Sequence, residues 1–295
     1  MTGAERGFLL LTGTLGDPDR KPLSTAQMRT LGARVATSSK IFEDRELAIG
    51  DLLSLGYAQP MAQRIVDLLN QEDLLKYYLS KGEKLRCIPL SRAGKDYPVM
   101  ILQKLGLDAP GCLWAKGDLS LLSKPMIALV GSRNIRNQNR GFAAEVGRQA
   151  ARQGFVLVSG NARGADISAQ EACLRAGGQV ISVVADELCM HQEKNGVLYL
   201  SEDGYDLPFS AQRALSRNRM IHALADKTFV AQCDFCKGGT WSGTVRNLQN
   251  NWSPVFCYAD GSNAVLELEQ MGAQLISVEQ LADFGALMPE IISFL

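Results

Sequence analysis

Histidine is scarce: the chain contains two, His191 and His222. A Ser-His-Asp hydrolase set is not legible on so small a supply. An excess of charge of either sign is also missing. Lys plus Arg number 31, Asp plus Glu number 31, and the formal net charge is zero. This excludes a globally basic nucleic-acid binder but leaves room for a local basic site. No apolar run approaches the ~18 residues needed to span a membrane. Phe8-Leu9-Leu10-Leu11 is too short for the core of a signal peptide. The expectation is a cytoplasmic protein with no membrane partner. Cysteines number seven, an odd count that argues against a secreted disulfide framework in a chain of this length. Cys233 and Cys236 form a single C-x-x-C. A structural zinc site would need two further ligands. Cys189, Cys257, His191 and His222 are available, but none stands at a zinc spacing, so reduced core or loop thiols are the better reading and no metal is expected.

What is present describes an ordinary globular protein. The 295 residues are 46% hydrophobic and 21% charged, enough to bury a sizeable core and to exclude disorder. Residues 1–80 read as a helical module. Ser24 and Thr25 suit the start of a helix through Val35. The apolar positions Met61, Ile65, Leu68 and Leu69 repeat at helical spacing behind Gly56 and Pro60, which suggests a helical hairpin of helix-hairpin-helix or SAM-like type. Such a turn can offer backbone amides to a phosphate, or can simply join two packed helices.

From residue 81 to 295 short apolar strands alternate with helices. Strands are expected at 126–130, 155–158, 180–184, 197–200, 228–231, 255–258 and 274–276. Helices are expected at 140–153, 165–176, 217–224, 244–250 and 264–271. The acidic connection 185–216 reads as a flexible lid. Continuous apolar strands separated by helices predict an α/β fold, a Rossmann-like, doubly wound, mostly parallel sheet behind the small helical domain. Ligands of such sheets bind outside the carboxyl ends of the strands. Three polar turns fall at such ends: Gly131-Ser132-Arg133-Asn134, Ser159 to Asp166, and Lys237-Gly238-Gly239-Thr240-Trp241-Ser242-Gly243. Glycines let a ligand approach the backbone, and free amides at a helix start favour an anion. Each turn alone is more often just a tight strand-to-helix connection; three on one edge shift the balance toward phosphate or nucleic-acid binding. Arg217-Asn218-Arg219 is read as a helix start, where arginines run against the helix dipole and imply a buried carboxylate or a bound phosphate.

In order, the chain carries Val130-Gly131-Ser132-Arg133, Ser159-Gly160 with Ala162-Arg163-Gly164-x-Asp166, Arg217-Asn218-Arg219-x-Ile221, and Gly238-Gly239-Thr240-Trp241. This series resembles the DprA/Smf DNA-processing family, in a divergent branch with the Gly-Gly-Thr-Trp loop. Asp96-Tyr97-Pro98 and Leu113-Trp114-Ala115-Lys116-Gly117-Asp118 resemble its lead-in. Ala165-Asp166 stands where the family has Ile-Asp, and Ala169-Gln170 where it has Ala-His. The resemblance implies a single-stranded DNA-binding protein acting in recombination or DNA uptake, not an enzyme, without catalytic residues or cofactor. It also implies a homodimer with a RecA-type recombinase as partner. The residues it marks for DNA or phosphate are Gly131, Ser132, Arg133, Gly160, Arg163, Gly164, Arg217, Asn218, Arg219, Lys237, Gly238, Gly239 and Thr240. Trp241 could stack on a base or sit in the core.

Two other functions stay open on the sequence. A module sensing a free nucleotide would use the same turns. A nucleoside-monophosphate phosphoribohydrolase would need a carboxylate beside the glycosidic bond, and Gly243-Thr244 is followed by Val245-Arg246-Asn247, with no acid.

Overall fold

The computed structural model describes residues 1–38 and 47–288, which divide into two units. The first holds Met1–Lys116 with Glu187–Met190 and Ser201–Leu207; the second holds Gly117–Asp186, His191–Leu200 and the chain from Pro208.

In the first unit, helices α1 (Gly3–Thr12), α2 (Thr25–Ala36), α3 (Ile49–Ser54), α4 (Gln59–Leu69) and α5 (Glu72–Lys84) precede strand β1 (Ile88–Ser91). Helix α6 (Val99–Leu105) and strand β2 (Cys112–Gly117) follow. Both α1 and α2 open with capping boxes, Thr2 with Glu5 and Ser24 with Gln27, which satisfy amides that a helix start leaves orphaned. Gly56, at φ +82°, makes the turn between α3 and α4, so the expected hairpin is present. Leu11, Leu31, Leu52, Ile65 and Leu68 meet in its core. The helical stretch runs to Lys84 rather than 80, and β1 pairs antiparallel with β2 within the same unit. Tyr78, Trp114 and Tyr205 form a second, aromatic core, with Tyr78 and Tyr205 stacked at 4.3 Å.

Among the described residues, the second unit is built on seven parallel strands: β3 (Met126–Val130), β4 (Val156–Ser159), β5 (Gln179–Val183), β6 (Val197–Glu202), β7 (Lys227–Val230), β8 (Val255–Tyr258) and β9 (Gln274–Ile276). Helices α7 (Asn137–Arg152), α8 (Ala165–Arg175), α9 (Ala211–Leu224), α10 (Gly238–Asn250) and α11 (Asn263–Gln270) connect them. The strands lie in the order β6-β5-β4-β3-β7-β8-β9. The chain winds outward from β3 in one direction, crosses back, and winds outward again from β7. The order therefore reverses between β3 and β7, where a doubly wound sheet opens a crevice. Ala128 pairs with Val158 and with Thr228, so the turns after β3, β4 and β7 emerge side by side. Burial on both faces explains the continuous apolar strands: every residue of β3 and β8 is buried. The small residues of α8 admit α7 closely; a Cβ on Gly147 would lie 2.1 Å from the Ala169 carbonyl oxygen.

Two helix starts lie a full six residues ahead of expectation. Helix α9 begins at Ala211, not at 217, because the Ser210 hydroxyl caps it by accepting from Arg213 N–H at 3.0 Å. Arg217 to Arg219 thus lie mid-helix, and the dipole argument for an anion there falls. Helix α10 begins at Gly238, not at 244, so the glycine turn is its first turn. The 185–216 connection is not an irregular lid, since it contains β6 and the start of α9. No described helix is long and apolar enough to cross a membrane.

Candidate nucleic-acid interface

The turn after β3 is held from several sides. Ser132 N–H donates to the Gln232 carbonyl at 2.9 Å, and the Gln232 side chain accepts from Arg136 N–H at 2.9 Å and donates to the Asn134 carbonyl at 3.1 Å. Asn139 donates to the Ala231 carbonyl at 2.8 Å and to Asp260 at 2.6 Å. Arg136 completes this brace by pairing with Asp260. Arg133 projects outward from the turn, its guanidinium 5.7 Å from the centre of the Phe209 ring.

The turn after β4 is organised by a buried carboxylate. Asp166 accepts from the amides of Gly160 at 3.1 Å and Ala162 at 3.2 Å. Gly164 takes φ +89°, and a Cβ there would lie 2.5 Å from the Ser132 carbonyl oxygen, so this position is built for glycine. Burial pushes the Asp166 carboxyl up to about 6, while Arg217 and the two amides act in the opposite sense. Gln170 donates to Ser159 at 2.5 Å and accepts from Ser182 at 3.1 Å, tying β4 to β5 through a neutral amide.

Helix α9 brings Arg217 in from the side. Its guanidinium is buried and donates to the Val183 carbonyl at 2.7 Å. Asn218 donates to the Gly239 carbonyl at 2.9 Å, joining α9 to the first turn of α10. His222 is buried and driven down to about 3, hence neutral at physiological pH and no general acid.

These pieces enclose a cleft at the switch point. A smaller cavity of about 280 Å³ is walled by Arg133, Gly160, Arg163, Asp186, Phe209 and Arg217. A contiguous one of about 710 Å³ is walled by Gly131, Ser132, Arg133, Asn218, Lys237, Gly238, Gly239 and Thr240, among others. The structure thus brings nearly all the marked residues together. Gly164 braces the wall from behind. Arg219 lines neither cavity, because two residues along a helix is about 200° of rotation from Arg217. Trp241 is only 9% exposed and is mainly core, whereas Phe209 and Phe235 are about half exposed. Sequence reasoning missed Phe209, Asp186 and the Gln232–Asn139–Asp260 brace. Phe209 had a signal, an aromatic just ahead of a basic helix; the brace had none. Among the described residues, no group of three or more His, Cys, Asp or Glu is placed to hold a metal ion.

Comparison with known proteins decides the family. The family described as DNA recombination-mediator protein A matches residues 89–284, most of the chain. The chain belongs to this family. The DNA processing protein DprA of Bacillus subtilis is 32% identical over 171 residues, covering 54% of this chain and 55% of that protein. DprA of Streptococcus pneumoniae is 32% identical over 194 residues, covering 60% of this chain and 68% of its own length. The chain therefore spans about half to two thirds of these curated relatives. An X-ray structure of S. pneumoniae DprA superposes with a TM-score of 0.72 at 27% identity, covering 95% of this chain and 96% of that one. A structure of DNA processing protein A from Helicobacter pylori, described for its single-stranded DNA binding mode, reaches 0.55 at 26% identity over 67% of this chain and 94% of that one. A Rossmann-like sheet that follows a helical region in the sequence is thus the family's fold.

Proposed function

We propose that the chain binds single-stranded DNA in the switch-point cleft and serves DNA processing, in recombination or DNA uptake, by loading or protecting strands. One observation carries this reading. In a chain without net charge, Arg133, Arg163, Arg217 and Lys237 converge on one cleft walled by glycine-rich turns. Such turns accept a flexible backbone more readily than a stiff duplex, and the half-exposed Phe209 ring in the cleft wall offers a face for bases without reading their sequence. The family relationship and the single-stranded DNA described for the H. pylori relative support it. The role is that of a binding protein, not an enzyme. The test is an anisotropy titration with single-stranded oligonucleotide, duplex and mononucleotides. Tightest binding to the single strand is expected. A mononucleotide that binds more tightly would replace the reading with nucleotide sensing. Action as a homodimer, with a RecA-type recombinase as partner, belongs to the same proposal and rests on the family resemblance. A strictly monomeric mass in light scattering would remove the dimer.

Asp166 adds a pH dependence to this site. Its folded value of about 6 lies above the ordinary 3.8. Its favourable contribution to folding is therefore complete below about 3.8 and lost as pH rises through about 6. The difference is on the order of 3 kcal/mol. Relative to Asp166→Asn, the wild type should lose stability between about pH 4 and pH 7 in urea titrations and change little above that. Over the same range its affinity for single strands should fall as a negative charge appears behind the cleft, whereas the Asn variant should show a flat profile. Parallel profiles for the two proteins would show that the carboxylate stays ionised.

A further inference from the structure

The C-x-x-C pair sits in the wall of the cleft. Cys233 follows β7 and is 4% exposed, Cys236 is exposed, and both line the larger cavity beside Lys237 and the first turn of α10. From Asp234 to Lys237 the chain makes a hydrogen-bonded turn in which Lys237 N–H donates to the Asp234 carbonyl at 3.1 Å. Cys236 occupies the third position of that turn at φ +55°. Glycine or asparagine suits this conformation better than a residue with cysteine's side chain. A free thiol is thus held at some conformational cost, three residues from a second free thiol. The turn also connects directly to the ligand-facing parts. The Phe235 ring packs edge-on to Trp241 of α10 at 5.1 Å, and Lys237 is the residue that opens α10.

We propose that Cys233 and Cys236 are a redox modification site, and that a reversible disulfide between them reshapes the 233–237 turn and weakens binding in the cleft. The chemistry is thiol–disulfide exchange with a small-molecule disulfide as oxidant. The Cys236 thiolate attacks one sulfur of the oxidant, the S–S bond breaks, and the released thiolate takes up a proton. Cys233 then gives its proton to solvent, attacks Cys236 Sγ and expels the second thiol. The two cysteines lose two electrons and the oxidant becomes two thiols. Burial pushes the Cys233 thiol up to about 12, which makes Cys236 the point of entry and Cys233 the resolving partner. Closing the ring draws Cys236 out of solvent toward the end of β7 and carries Phe235 and Lys237 with it. Lys237 then leaves the position it holds in the wall of the open cleft.

The effect on binding rests on the single-strand reading of the cleft; the formation of the disulfide does not. The full chain is incubated with glutathione disulfide, mapped by mass spectrometry of its peptides, and titrated with single-stranded oligonucleotide. A 233–236 link with loss of two hydrogens is expected, together with affinity about tenfold weaker and recovered on reduction. Cys233→Ser and Cys236→Ser should each lose the response to oxidant. A map in which Cys236 is found only as a mixed disulfide, or joined to another cysteine, overturns the site. A 233–236 link with unchanged affinity overturns the effect. If the reduced protein does not bind single strands, the reading of the cleft falls and the effect with it, while the peptide map still decides the modification.

Discussion

Alanine at position 160 is expected to cost the protein both its single-strand binding and a substantial part of its stability. A Cβ on Gly160 would lie 1.9 Å from Arg217 Nη1, 2.6 Å from its Cζ and 2.7 Å from Asp166 Oδ2. An exposed guanidinium could swing away at little cost. This one is buried and committed to the Val183 carbonyl at 2.7 Å, so displacing it breaks a charge-assisted hydrogen bond and separates it from Asp166. Disrupting such a buried charged network costs about 3–5 kcal/mol, and affinity should fall by about tenfold or more as Arg217 leaves the cavity wall. Gly141→Ala is the control. It lies in α7 with nothing within 4 Å of an added Cβ, and should be neutral or stabilising by about 1 kcal/mol. Arg217→Ala removes the obstacle, so the two costs should be less than additive in the Gly160→Ala, Arg217→Ala double variant. Urea denaturation and anisotropy read both quantities. A Gly160→Ala protein as stable and as tight-binding as wild type would mean that Arg217 does not sit against this turn.

Much of this arrangement was legible because its causes are local. Apolar runs such as Met126–Val130 and Val255–Tyr258 must be buried on both faces, which only a covered parallel sheet provides. The glycine turns announce themselves because Gly164 takes a backbone conformation that other residues rarely adopt. The helix starts were less legible. Helix α9 keeps Leu215 about half exposed and buries Arg217, so its apolar spacing is broken where the helix begins. Helix α10 starts with two glycines that read as a break. The brace of Gln232, Asn139 and Asp260 joins residues about a hundred positions apart through polar side chains, and no local pattern signals such a meeting. Arg219 shows the opposite failure. It belongs to the motif in sequence, yet the helix turns it away from the residues it was grouped with.

That divergence between Arg133 and Arg219 gives the sharpest test of the cleft. Both are arginines marked by the same resemblance, and both would look alike to an argument from net charge. Arg133 is exposed, borders both cavities and lies 5.7 Å from the Phe209 ring centre; Arg219 borders neither. Each phosphate neutralised on a single strand releases condensed counterions, and the logarithm of affinity falls by about 0.7 per contact for each tenfold rise in salt. Arg133→Ala should therefore lower the slope by about 0.7 and weaken binding about tenfold at low salt, with the gap to wild type narrowing as salt is added. Lys237→Ala should act in the same way, and the loss should be similar on oligonucleotides of different sequence, because phosphate contacts carry no sequence information. Arg219→Ala should leave the slope where it is. Anisotropy titrations of the three variants at several salt concentrations separate these outcomes. An unchanged slope for Arg133→Ala, or an equal loss for Arg219→Ala, would move the strand away from the β3–β7 switch point and onto the outer face of α9.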